Sequence, residues 1–413
     1  MHLYDVPLAF VLVGLVLYVV LGGADFGAGL WQLAAGRGPD AAQLREHAHD
    51  SMGPVWEANH VWLIFVLTVL WTAYPVAFGS IASTLTVPLF VAAVGIIFRG
   101  TAYALRSGAR RDRETTVIDS VTGVSSILTP FSLGTVVGAI ASRRVPVGNA
   151  AGASISSWLN PTSVMIGLLA VGVSAYLAAV FMAADAQLGQ DTGLERRLHV
   201  RALISGVVTG GLGVAGLVVL SSDARPLFDS LTSGAPLVVV IISGLAGVGT
   251  LVLLARRQYG ACRYTAAVAV AAVVAAWALA QSPVLLSGLT VAQAAAPRDV
   301  LVTVTVAIVA GAVILFPSLG LLFGLLLGGR LGGGDATGAR VRGTGPARPG
   351  RGAAPKLLWR LAGAALLAGF GLLNLADAPW AHGIGVSCLL AFVVLAFAAL
   401  VPGATAWATR GDE

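Results

Sequence analysis

Apolar runs of roughly 17–25 residues, the length that crosses a bilayer, recur along almost the whole of this 413-residue chain. Lipid offers the backbone no hydrogen-bond partners, so such runs must close their own bonds as helices, and they are too long for barrel strands. Composition agrees: 57% of residues are hydrophobic and 11% charged, against about 25% charged in an ordinary soluble domain. The chain is therefore predicted to be an all-α, polytopic transmembrane helical bundle in a cell membrane. The net charge of +6 does not point to nucleic acid, because the basic residues sit in the connections, where they act as topology signals. Cys262 and Cys388 are the only cysteines and fall in or beside spans, which argues against a disulfide framework or a thiolate metal site. Met1 to Asp5 carries no basic residue, and the first apolar stretch continues through Trp31; this suits an uncleaved first span.

Counting predicts eleven spans, at about 6–33, 55–75, 77–104, 116–141, 157–183, 202–221, 234–254, 264–282, 300–328, 357–376 and 381–405. Connections on one side then hold Arg37, Arg45, the arginines of 106–113, 196–201 and 256–263, the basic residues of 330–360, and Arg410. The other side holds only Arg143, Arg144, Arg225 and Arg298. Positive charge accumulates on the cytoplasmic side, so the N-terminus is predicted outside and the C-terminus inside. Residues 329–355 are rich in Gly, Arg and Pro with no apolar period, and read as a flexible cytoplasmic linker with arginines suited to anionic lipid. The expected organisation is a nine-span membrane domain over 1–328, this linker, and a two-helix membrane hairpin over 356–413. No internal repeat and no nucleotide-binding fingerprint is evident.

Against this apolar background a few polar residues stand out. The run Gly53-Pro54-Val55-Trp56-Glu57-Ala58-Asn59-His60-Val61-Trp62 sets an acid and two indoles at the mouth of a span. An acid entering lipid is expensive and usually pairs, relays protons or lines a watery path. Glu57 is read either as a proton-conducting carboxylate or as a first-turn acid favoured by the helix dipole; Asn59 and His60, able to bridge protons or waters, favour conduction. Asp25 lies in a Gly-rich stretch, Gly22 to Gly29, where small residues let helices approach closely. It is either one half of an ion pair, with Arg99 as the partner, or a proton relay. The predicted topology brings Asp25, Glu57 and Arg99 to one depth on the cytoplasmic side. Trp56 and Trp62 suit the interfacial belt, as do Trp31 and Trp71; the first two also suit the lining of a path for a small apolar gas or a quinone ring. Haem or metal ligation by this chain alone would need paired His, Met or Cys within the spans, and the sequence lacks such pairs, so no metal or haem ligand is assigned. Met165 and Met182 read as packing residues, and the prolines of Thr129-Pro130 and Phe316-Pro317 as sources of kinks.

These pieces together resemble subunit II of the cytochrome bd-type quinol oxidases. The resemblance rests on Gly22 to Gly29, Gly53 to Leu63, Phe98-Arg99-Gly100 with Arg106, Trp277 to Gln281, Gly288 to Ala292, Ala294 to Pro297 and Pro317 to Leu319, and covers about residues 1–328. It implies a haem-free subunit of an enzyme that oxidises quinol and reduces dioxygen to water. The b-type and d-type haems would lie in a larger partner, subunit I, in a heterodimer that small single-helix accessory subunits, lipid or a structural quinone could join. It implies a proton-uptake path over Glu57, Asp25, Asn59, His60 and Arg99, and an oxygen route, or packing near it, at Trp62 and Trp56. Two departures stand out. The acid often found five positions after the motif arginine is here Ala104, and the outer motif after Gln281 reads Ser282-Pro283-Val284, poorer in Tyr and Pro than usual. The quinone-binding residues are not assigned. Residues 357–405 fall outside the resemblance and suit either a cover for one flank of the complex or a lineage-specific addition.

Two other classes compete. A scaffold that only stabilises a haem subunit explains the fold but leaves the gathered polar residues without a purpose. A secondary transporter would place its polar site near the midplane, within inverted repeats, whereas here the polar residues crowd towards one face.

Overall fold

The computed structural model describes residues 2–36, 38–52, 56–106, 112–327, 356–375 and 379–400. The chain forms two units, Met1–Gly328 and Gly329–Glu413. The first begins with α1 (Asp5–Leu17), a π-helical turn (Tyr18–Gly22) and α2 (Gly23–Leu33), which together make one span. Then follow α3 (Pro39–Met52), α4 (Trp56–Ala73), α5 (Pro75–Thr84), α6 (Thr86–Arg106), α7 (Asp112–Ala141) and α8 (Pro161–Leu188). The remainder comprises α9 (Thr192–Asp223), α10 (Arg225–Leu231), α11 (Gly234–Ala255), α12 (Tyr259–Gln281), a short hairpin of β1 (Val284–Leu286) and β2 (Leu289–Thr290), α13 (Val291–Ala294) and α14 (Arg298–Leu327). In the second unit α15 (Lys356–Leu375) packs against α16 (Pro379–Leu400), at the positions expected for the terminal pair. The linker predicted over 329–355 lies outside the described residues.

Eight helices among the described residues are long and apolar enough to cross a membrane. The predicted span 77–104 is not one helix: α5 ends at Thr84 and α6 begins at Thr86. Pro88 explains the break, since it has no N–H to offer the Thr84 carbonyl four residues earlier. Tyr74 separates α4 from α5 for the related reason that it precedes Pro75, and its backbone leaves the helical region (φ −137°, ψ 59°). The hairpin is a small addition to the all-α expectation. Val284 pairs with Thr290 and Leu286 with Leu289, and the turn uses Gly288 at φ +79°.

The core is organised around α8, which packs against α2, α7, α9 and α12. Its inner face, Ser174 to Ala186, is largely Ala and Ser, so neighbouring backbones come close. The approach of α2 is closest: a Cβ on Gly27 would overlap the Ser174 carbonyl, and one on Gly29 would overlap the Ser126 hydroxyl of α7. On α6 the buried positions are Pro88, Ala92, Gly95, Arg99 and Ala102. This spacing of three and four residues is one stripe of a helix, so Arg99 shares the inward face with small residues. By contrast α11 buries only Thr250 and Leu254 and shows its Val, Ile and Leu outward.

Candidate functional site

The inward stripe of α6 and the Gly-rich turns of α2 meet at Asp25 and Arg99. Each is 4% exposed. The Arg99 guanidinium donates to Asp25 Oδ1 at 2.6 Å and to the Asp25 carbonyl at 2.8 Å. It also donates to the Ser126 hydroxyl at 3.3 Å and lies 4.8 Å from the centre of the Phe26 ring. Glycines at 27, 29 and 95 make this possible, because any side chain there would separate α2, α6, α7 and α8 by more than the reach of the pair. Asp25 Oδ2 accepts no hydrogen bond from the described residues, and neither does Gln32 Oε1, two turns further along α2. A buried acceptor left open costs roughly 1–3 kcal/mol, so its persistence calls for an explanation.

Both residues line a small cavity of about 10 Å³, with Arg99, Tyr103, Arg106, Thr122 and His49. That is about the room one water needs. A second cavity, about 590 Å³, adjoins it and is lined by Gln32, Arg45, Glu46, His49, Asp50, Arg106, Asp119 and neighbours. Glu46 and Asp50 are exposed, so this vestibule opens at the charged surface of α3. Gln32, His49 and Arg106 line both spaces and form the wall between them. Arg106 Nη1 stands 3.5 Å from Asp119 Oδ1, and the rings of His49 and Tyr103 lie 4.7 Å apart. Burial, with the Arg106 charge beside it, holds the His49 imidazole below its ordinary pKa.

The sequence-derived candidates distribute unevenly. Asp25 and Arg99 come together as expected, and Arg99 does not reach for lipid. Asn59 is buried, and its amide donates to the Leu21 carbonyl at 3.3 Å, inside the π-helical turn; it therefore fixes the wide turn that precedes Asp25. The His60 ring lies edge-on to Tyr18 at 6.2 Å and to Phe26 at 6.0 Å, which places it behind the Asp25 pair. Trp62 is half-buried and edge-on to Phe65 at 6.4 Å. Gly53–Val55 lie outside the described residues. Trp56 and Glu57 are described as the first positions of α4, and the readings made of their side chains lie outside that description. Trp31 turns inward instead of joining a belt: its indole donates to the Ala175 carbonyl at 2.8 Å, beneath the Arg201 guanidinium. Trp71 is 66% exposed. Among the described residues no three His, Cys, Asp or Glu side chains converge on a metal site.

Sequence reasoning passed over Gln32, His49, Asp119 and the hydroxyl stripe Thr122, Ser126 and Thr129 on α7, all of them buried except the half-buried His49. The stripe was legible as hydroxyls at spacings of four and three within a span. His49 was not, because it lies in a connection and becomes internal only when α3 folds back over α2 and α6.

The described architecture has close counterparts. The sequence profile for "Cytochrome bd terminal oxidase subunit II" matches residues 3–326. Bacillus subtilis (strain 168) cytochrome bd ubiquinol oxidase subunit 2 is 28% identical over 132 residues, which are 32% of this chain and 38% of that protein. Escherichia coli (strain K12) cytochrome bd-I ubiquinol oxidase subunit 2 is 24% identical over 212 residues, 48% of this chain and 53% of that protein. The matched regions thus span about two fifths and about half of those relatives. In a solved structure of the bd oxidase from Geobacillus thermodenitrificans, one chain superposes with a TM-score of 0.63 at 25% identity, covering 79% of this chain and 99% of that one. With the profile running through the first unit from α1 to α14, this multi-pass protein of the cell membrane belongs to the cytochrome bd terminal oxidase subunit II family.

Proposed function

We propose that this chain is the haem-free subunit of a terminal oxidase that oxidises quinol and reduces dioxygen to water, and that it takes up protons from the arginine-rich, cytoplasmic side. The observation that carries the reading is the buried Asp25–Arg99 pair at the inner end of two adjoining polar cavities. Reduction of dioxygen consumes protons, and a buried acid with one open oxygen beside a water-sized space can accept a proton at Oδ2 while Arg99 holds Oδ1. Ser126 and Phe26 fix the guanidinium, so the carboxylate stays in register as its charge changes. Asn59 and His60 act by positioning: Asn59 ties α4 to the π-turn, and His60 backs Phe26 and Tyr18.

Glu57, at the start of α4 and three residues before His60, is proposed as a second acid on the same side. Trp62, packed on Phe65, and Trp56 are proposed to flank the oxygen route. The b-type and d-type haems belong in this reading to the partner, subunit I, which supplies the redox chemistry. This chain's own part ends at delivery of a proton. The terminal pair α15 and α16 is proposed to cover a flank of the complex.

The test is Asp25→Asn in the assembled oxidase, purified by a tag on this chain. The expected result is unchanged reduced-minus-oxidised haem bands with quinol-driven oxygen uptake reduced by about 10²-fold, the scale of a lost acid–base group. Full turnover in Asp25→Asn would leave the scaffold role as the better reading.

A further inference from the structure

We propose that His49 is the group that passes protons from the vestibule to the buried Asp25 pair. The inference rests on the proton-uptake reading above and names the residue that controls admission to it. Its starting point is the wall between the two cavities. Among the described residues only Gln32, His49 and Arg106 face both. An amide holds no extra proton, and a guanidinium does not release one in the working range of a protein. Histidine, with two ring nitrogens and an ordinary pKa near 6.5, does both.

The surroundings suit that task. On the vestibule side stand the acids Glu46 and Asp50 of α3 and Asp119 of α7, together with Arg45 of α3. On the inner side stand Asp25 of α2 with its open Oδ2, Gln32 with its open Oε1, and Arg99, Tyr103 and Arg106 of α6. The Tyr103 ring centre lies 4.7 Å from that of the imidazole. Burial first and Arg106 second disfavour the imidazolium while the three acids favour it, and the net effect holds the pKa below its ordinary value. The step balances simply. One ring nitrogen takes a proton from vestibule water, the other gives its proton to water in the inner cavity, which protonates Asp25 Oδ2, and a turn of the ring restores the first tautomer. The net event is one proton moved inward.

The experiment follows proton uptake by the fully reduced, assembled oxidase in detergent after an oxygen pulse, using a pH-indicator dye in weakly buffered solution. Wild type, His49→Gln and Asp25→Asn are compared, each with and without added imidazole. Expected for His49→Gln is uptake slowed by about tenfold or more, the lower bound for a lost proton-transfer group, with haem bands unchanged and most of the rate restored by imidazole, which the 590 Å³ vestibule can admit. Asp25→Asn should be slow and not rescued. Wild-type uptake in His49→Gln beside slow uptake in Asp25→Asn overturns the role of His49 and leaves the Asp25 reading intact. Wild-type uptake in both overturns the Asp25 reading itself. Slow uptake in His49→Gln that imidazole leaves unchanged identifies a structural role and also overturns the proposal. Should Gln at this position prevent assembly, His49→Asp is measured instead. Uptake within about threefold of wild type is then required, and uptake as slow as in Asp25→Asn counts against it.

Discussion

Two Asp–Arg pairs in this molecule share a length of 2.6 Å and little else. At the vestibule end Asp25 meets Arg99 with one carboxylate oxygen bound and the other open to a cavity. At the opposite end of the bundle Asp223, the last residue of α9, meets Arg144. There Oδ2 accepts from both the Thr162 backbone N–H at 3.1 Å and its hydroxyl at 2.7 Å. Thr162 stands in the first turn of α8, whose leading N–H groups have no partner within the helix. Asp223 therefore caps α8 and ties it to α9 and to the end of α7. The second pair is closed, with every carboxylate oxygen spent on structure. The first is left incomplete beside a water-sized cavity, and on the proposed reading that incompleteness is what separates a pair for proton uptake from one that holds helices.

The comparison can be broken from either side. Removing one partner of the buried pair should have the largest effect. Arg99→Leu strands the Asp25 charge and is expected to cost about 3–5 kcal/mol, the scale for an uncompensated buried ion. It would be read as loss of haem-bearing complex or a lowered thermal midpoint in detergent. The double variant Asp25→Leu with Arg99→Leu should recover most of that stability and none of the proton uptake. If instead the double variant turns over normally, the pair is structural at both ends of the molecule.

The closed pair should respond oppositely. Asp223→Asn keeps the shape and removes the charge from a site where Arg144 is 36% exposed; solvent screening limits the expected loss to about 1 kcal/mol. The thermal midpoint would fall slightly, and oxygen uptake should stay within about twofold, since an exposed pair contributes little. A large fall in turnover with a normal midpoint would mean that the outer end also serves the reaction.

The smallest expected effect is a pH shift. His49 lies below its ordinary value because of burial first and Arg106 second. Its protonated fraction therefore grows only as pH falls below about 6.5. Arg106→Gln removes the second cause and loosens the contact of Arg106 with Asp119, and both changes raise the His49 pKa. The acid limb of the turnover profile should move to higher pH in Arg106→Gln and be absent in His49→Gln. Identical limbs in all three proteins would separate the profile from His49.

Some of this was legible before any coordinates. Long apolar runs fix the class, because lipid forces each one into a helix whatever its neighbours do. The Gly-rich stretch around Asp25 and the arginine at 99 were readable as a pair, because a charge inside a span needs a partner. The break before Thr86 was missed although Pro88 was in plain view, since hydropathy averages across one missing hydrogen bond. Trp31 was placed in the belt on residue type alone, when its indole has an inward carbonyl to meet.

What the sequence by itself determined is the all-α membrane class and the identity of the polar residues that lipid could not hold unpaired, because both follow from solvent chemistry acting on each segment separately. What only the tertiary structure decided is which of them work together. The folding of α3 over α2 and α6 brings a histidine from a connection to the wall of a buried cavity, and the glycine contacts of α2 set Asp25 within reach of Arg99. Such meetings depend on helix approach distances of an ångström or two, which close packing across segments far apart in the chain determines and no local pattern encodes.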